Sequence, residues 1–293
     1  MPTIIYGVRL APEGNIAIYF EAGHDMEIYQ GIILGILQGL TEFLPVSSSG
    51  HLVLGQIYFN ITEFGLVFDV SVHMGTLAAV LVVYFSDIKD ILGSLVAYAG
   101  GDRRDEAGEN LTFAWCILAG SVPTALIGFG LKQFEHILFT SSFLVGCMLI
   151  VTGTVLWVSR NFYRDNAAGG RLTLGRALII GTVQGLAVIP GISRSGSTIA
   201  AGMFAGMDRT TAARFSFLLS IPAICGAQIV SVKDALESGG LIDPATIYGT
   251  IVSFIVGLVA LKLLLKLVHT GKFHLFAPYC WLAGILALLS NYI

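Results

Sequence analysis

Two stretches of the chain hold residues whose types and spacing could do chemistry: "QGLTEFLPVSSSGHL" at 38–52 and "QGLAVIPGISRSGST" at 184–198. In the first, Gln38 and Glu42 stand four apart and share a helix face. They offer two oxygen ligands of the kind a hard cation, Mg²⁺ or Ca²⁺, accepts. One carboxylate and one amide make a weak metal site, so a bound phosphate would have to complete it. His51 follows Ser48 by three residues, close enough for general acid or base work on a serine or a water.

Pro45 ends the first apolar arm and Pro190 with Gly191 ends the second, because proline cannot continue the helical ladder. Each serine-rich loop then runs into a helix start, whose free amides and positive end favour an anion. Ser47, Ser48 and Ser49 in one loop, and Ser193, Ser195 and Thr198 in the other, are candidate phosphate ligands. Arg194 adds a planar fork of donors matched to phosphate oxygens. The plainer readings are helix caps for the hydroxyls, a structural ion pair for Glu42 and Arg194, and a packing role for His51. Against them stands the convergence of these types in two short loops. Phosphoryl transfer needs charge neutralisation, a positioned nucleophile and a proton carrier. Ser48, His51 and an activated water remain open as the nucleophile or its base, and the expected substrate is a phosphate ester or anhydride on a lipid.

The elements that must position these loops are membrane helices. The chain has 293 residues, 55% hydrophobic and 12% charged, with a mean hydropathy of +0.81, far from the soluble norm of about a quarter charged residues. Sixteen dispersed Lys and Arg and a net charge of -3 exclude a nucleic-acid partner. Cys116, Cys147, Cys225 and Cys280 lie apart within apolar segments and read as small hydrophobes rather than metal ligands. Glutamate, histidine and arginine inside such segments mark function, because burying them in lipid is costly.

Six runs suit a bilayer crossing, roughly 67–85, 112–131, 141–159, 211–230, 246–267 and 274–292. The regions 27–59 and 173–207 are each cut midway and read as re-entrant helix-loop-helix hairpins. At a spacing of 146 residues, eight of 21 positions from Gly31 to His51 match the second hairpin, among them Gln38, Gly39, Leu40, Ser47, Ser49 and Gly50. One hairpin plus three crossings per half turns the second half upside down. The expected fold is therefore an all-α integral membrane protein with an inverted-topology repeat, residues 26–160 and 161–293, forming one membrane domain.

Lys89, Arg103, Arg104, Arg160, Arg164, Arg171, Arg209 and Lys272 gather on one side, against Lys132 and Lys233 in the inter-helix loops of the other. The first side is expected to be cytoplasmic, with both termini outside. Residues 1–25 lack a signal-peptide pattern. Met26 stands where the membrane pattern begins, so the leader is expected to be dispensable, an upstream start or a remnant.

The chain resembles the undecaprenyl-diphosphate phosphatase, or bacitracin-resistance, family. The resemblance rests on its (E/Q)-x-x-x-E motif at Gln38 to Glu42, its P-G-x-S-R-S-x-x-T motif at Pro190 to Thr198, and the spacing from Glu42 to His51. It runs from about Met26 to the C-terminus. The resemblance implies removal of the terminal phosphate from a C55 polyprenyl diphosphate, which regenerates the carrier for cell-wall precursors. It also implies bacitracin resistance, a bacterial inner-membrane location, an outward-facing site and dependence on a divalent cation. Carried over, Glu42 and Gln38 serve the metal or the diphosphate, Ser48 or His51 the attack or its base, and Arg194 with Ser193 and Thr198 the phosphate. Gln at 38, rather than Glu, departs from a two-carboxylate metal site.

A lipid-phosphate transporter or flippase is the alternative, since inverted repeats with polar midplane loops also suit transport. An ion channel is weaker, with no charged ring or carbonyl filter. The histidine-nucleophile lipid phosphatases are excluded, because Ala200 stands where their histidine would follow Arg194 and no K-x6-R-P is present. Self-association as a homodimer stays open.

Overall fold

The computed structural model describes residues 4–10, 16–22, 26–59, 61, 65–101, 105–162, 170–237 and 243–290. In the leader, β1 (Ile4–Leu10) and β2 (Ile16–Ala22) pair antiparallel, with Ile4 opposite Ala22 and Leu10 opposite Ile16. Arg103, Arg104 and Arg164 of the expected basic side lie outside the described residues, and the side chain of Lys233 is not among those described. From residue 26 onward every described element is helical.

The first hairpin is α1 (Ile28–Phe43) and α2 (Ser48–Tyr58). Leu44 leaves α1 extended, at φ −59° and ψ 141°, the conformation that a following proline imposes. Ser47 then caps α2 from φ 70°, unique among the described non-glycine residues in its positive φ. α2 folds back over α1, bringing Gly55 against Leu34 and Leu37.

Next come α3 (Gly65–Val83), α4 (Phe85–Ala99), α5 (Asp105–Lys132), the short α6 (Glu135–Thr140) and α7 (Ser142–Ser159). The second hairpin is α8 (Leu174–Leu186) and α9 (Arg194–Phe204). Its loop turns at Gly191, φ 95°, where an added Cβ would meet Met148 Cβ at 2.7 Å. Glycine is required there both by conformation and by space. The chain closes with α10 (Arg209–Glu237), α11 (Pro244–His269) and α12 (Ala277–Leu289).

Four helical stretches are long and apolar enough to cross a membrane: Asn110–Lys132, Ser142–Phe162, Arg209–Val232 and Pro244–His269. The first expected span departs from a simple crossing. α3 and α4 form a pair bent by 73°, a fifth span if the two count as one. The sequence reading missed α4 because Ser86, Asp87, Lys89 and Asp90 end the apolar run just past Tyr84, with no proline or glycine to mark a bend into a further helix. The last expected span is also shorter, a 3₁₀ turn at Phe273–Phe276 leading into the 13-residue α12. Ile247, Ile251, Ile255, Val259 and Leu263 make an exposed stripe along α11 that only lipid would tolerate. The molecule is a multi-pass membrane protein.

Each hairpin's first arm packs on a helix from the other half of the chain. In α1, Gly31, Gly35 and Gly39 lie directly on the backbone of Ala245, Gly249 and Ser253 in α11. In α8, Gly181 lies on Gly120 of α5 and Gly185 on Ile127. Small residues allow this approach, and in lipid close packing replaces the hydrophobic drive that water would supply.

Candidate active site

The two hairpin loops meet inside the protein. Glu42 sits in the last turn of α1, next to its final residue and 8% exposed, and donors surround its carboxylate. Oε1 takes a hydrogen bond and ion pair from Arg194 Nη2, at the start of α9. Oε2 accepts from Ser48 Oγ at 2.6 Å and from Gln38 Nε2 at 3.1 Å. His73 Nε2 stands 3.8 Å from the same oxygen. Thus the residues expected to act together, Gln38, Glu42, Ser48 and Arg194, form one contiguous cluster. A cavity of about 670 Å³ opens beside it, lined by Glu42, Ser48, Ser49, Ser193 and Arg194 among others.

The remaining expected phosphate ligands are placed differently. Ser47 Oγ accepts from Gly50 N at 3.4 Å and, across the hairpins, from Gly191 N at 3.0 Å. Ser195 Oγ donates to Phe43 O at 2.9 Å, a second bridge between the loops. Thr198 donates to Arg194 O at 2.7 Å and pairs with Ser216. None of these three lines the cavity; Ser47 and Ser195 tie the two loops together, and Thr198 ties α9 to α10. Ser193 also caps, accepting from Gly196 N at 3.1 Å, yet remains on the cavity wall.

His51 lies on the other flank of α2. Its Nδ1 is 2.8 Å from Ser47 O and its Nε2 2.8 Å from the Tyr279 hydroxyl, on which the ring stacks at 5.7 Å and 11°. A ring nitrogen facing a carbonyl must carry its proton, so both nitrogens of the neutral ring are engaged. The histidine therefore fixes the loop that carries Ser48 and does not line the cavity.

A different histidine was missed from sequence. His73 on α3 lines the cavity, with Nδ1 held by Asp69 O at 2.7 Å and Nε2 directed toward Glu42. Asp69 in turn accepts from Gln56 Nε2 at 2.7 Å. The signal was present: Asp69 and His73 are ionisable residues four apart inside an expected span, the same argument that selected Glu42.

The donor set does not form a cage for a divalent cation. Both Glu42 oxygens are occupied, which leaves Gln38 Oε1, buried with no hydrogen-bond partner, as the one free oxygen of the expected pair. Among the described residues no group of three or more His, Cys, Asp or Glu could hold a metal ion.

The family model described as bacitracin resistance protein BacA matches residues 31–286, which contain both loops and every residue of the cluster. The chain belongs to the BacA family. Three relatives of this BacA chain carry the name undecaprenyl-diphosphatase. That of Desulforapulum autotrophicum is 52% identical, covering 92% of this chain and 100% of its own length. That of Desulfosudis oleivorans is 55% identical over 88% and 97%. That of Methanosphaera stadtmanae is 40% identical over 91% and 99%.

Proposed function

We infer that this BacA protein is an undecaprenyl-diphosphatase, which hydrolyses undecaprenyl diphosphate to undecaprenyl phosphate and inorganic phosphate. One observation carries the chemistry: Ser48 Oγ lies 2.6 Å from a Glu42 carboxylate that Arg194 holds from the opposite hairpin. A serine so placed is oriented by its base before substrate arrives. Ser48 Oγ attacks the terminal phosphorus as Glu42 Oε2 takes its proton, and the bridging P–O bond breaks to release the lipid monophosphate. Water then opens the phosphoserine, Ser48 recovers its proton, and phosphate leaves. Arg194 Nη1, buried with no partner, is the donor available to charge developing on phosphate.

The family resemblance adds a divalent cation, which would neutralise diphosphate charge when bound; the donor set does not fit it as a resident ion, and no step passes through it. Chelation lowering phosphate release would support a cation that arrives with the substrate. The site faces the outside of the bacterial cytoplasmic membrane and the repeat is inverted. Two observations support this reading: the reciprocal packing of α1 on α11 and α8 on α5, and the gathering of Lys89, Arg160, Arg171, Arg209 and Lys272 on one expected side.

The deciding experiment is phosphate release from a polyprenyl diphosphate by purified protein. Wild type releases phosphate, whereas Ser48→Ala and Glu42→Gln do not. A wild-type protein that binds the lipid diphosphate without releasing phosphate would overturn the reading in favour of transport.

A further inference from the structure

The second hairpin carries its own glutamine, Gln184, at the position where the first has Gln38. Gln38 turns its amide nitrogen to Glu42, but the second hairpin has Val188 in the place of Glu42. Gln184 Nε2 instead donates to Thr124 Oγ1 and to Leu219 O, both at 3.3 Å. This orientation is forced. The Thr124 hydroxyl gives its proton to the carbonyls of Gly120 at 2.9 Å and Gly181 at 2.8 Å, so towards Gln184 it can only accept. Leu219 O can only accept as well.

Gln184 Oε1 is therefore the free end of the amide. The residue lines the cavity, is 3% exposed, and this oxygen has no hydrogen-bond partner. Neighbouring cavity hydroxyls do not supply one: Ser121 donates to Ile117 O at 2.8 Å and Ser220 to Phe217 O at 2.7 Å. A buried acceptor left without a donor is costly, so the donor must come from what the cavity holds. Arg194 Nη1, on the wall of the same cavity, is the complementary case, a buried donor without an acceptor.

We propose that Gln184 and Arg194 form a subsite for hydrogen phosphate, with Arg194 Nη1 donating to an ionised oxygen and Gln184 Oε1 accepting from the P–OH. This deepens the phosphatase reading and rests on it for the source of the ligand, the phosphate released from Ser48. The acceptor gives the subsite a selectivity that charge alone cannot. Orthophosphate near neutral pH keeps at least one P–OH, whereas sulfate has none and would set an ionised oxygen against Oε1. A site built to pair with a ligand proton rejects the analogue lacking it, because its own polar group is then left unpaired.

The test is titration calorimetry of the full-length protein in detergent with orthophosphate and with sulfate at the same pH. Wild type binds phosphate about tenfold more tightly than sulfate, the worth of one such hydrogen bond. Gln184→Met, of similar volume, loses that preference by weakening phosphate alone. Thr124→Val, which frees the amide to turn, reduces it, and this second variant serves should the first not fold. Equal binding of the two anions by wild type, or an undiminished preference in either folded variant, overturns the proposal. Hydrolysis of lipid diphosphate without phosphate preference would fail the subsite alone. Preference without hydrolysis would fail the phosphatase reading alone.

Discussion

The two hairpins answer the same geometric problem with different residues. Both must turn from a terminated arm into a new helix start at membrane depth. The second does so through Gly191 at φ 95°, the first through Ser47 at φ 70°, a conformation that costs a non-glycine residue. Serine offsets that cost because its Oγ accepts from amides of both loops, Gly50 and Gly191. Beyond the turn the copies diverge in chemistry. The first keeps Glu42, Ser48 and His51; the second has Val188, Arg194 and Ser197 in their places. One copy thus supplies the carboxylate and the serine hydroxyl that donates to it, the other the positive charge. Neither half holds a site alone.

The sharpest way to break this division of labour is to remove the group on which both copies converge. Glu42→Ala leaves Arg194 buried without its partner and should cost about 3–5 kcal/mol of stability, read by thermal unfolding in detergent, along with all phosphate release. Arg194→Ala removes the second copy's contribution. It should lower kcat by about 10²–10³, the scale for losing one donor to a developing oxyanion, and near-normal turnover would sink its assignment. The turns differ in tolerance: Gly191→Ala should destabilise by about 1–3 kcal/mol through its left-handed backbone, whereas Ser47→Gly should lose only about 0.3 kcal/mol as a cap. The two histidines separate by signature. His51→Ala should lower both melting temperature and rate by disturbing the loop that places Ser48, while His73→Ala should lower the rate with the melting temperature unchanged. The smallest effect is expected from deleting residues 1–25, which lie outside the family match; loss of activity would overturn their dispensability.

Much of this was legible because lipid makes polar residues expensive. Gln38, Glu42, Ser48 and Arg194 stood out against apolar runs, and the fold brings the four into contact. What stayed hidden has physical reasons. The pattern S-x-S-G serves a helix cap and an anion cradle equally well, so sequence could not separate the bridging Ser47 and Ser195 from the cavity-lining Ser48, Ser49 and Ser193. His51 was legible as a special residue but not as one whose ring nitrogens are both engaged. His73 was overlooked because attention went to the interrupted regions and not to an unbroken span. The bend at Tyr84 has no breaker residue to announce it.

The glycine face of α1 has a consequence for time. Its partner, α11, is among the last helices to leave the ribosome, more than 200 residues after Gly31. Through most of synthesis the glycine face of the first arm has nothing to lie against, although the partners of Glu42 are already made. A product truncated before Pro244 should keep those partners but lose the helix that backs α1, and its phosphate release should fall.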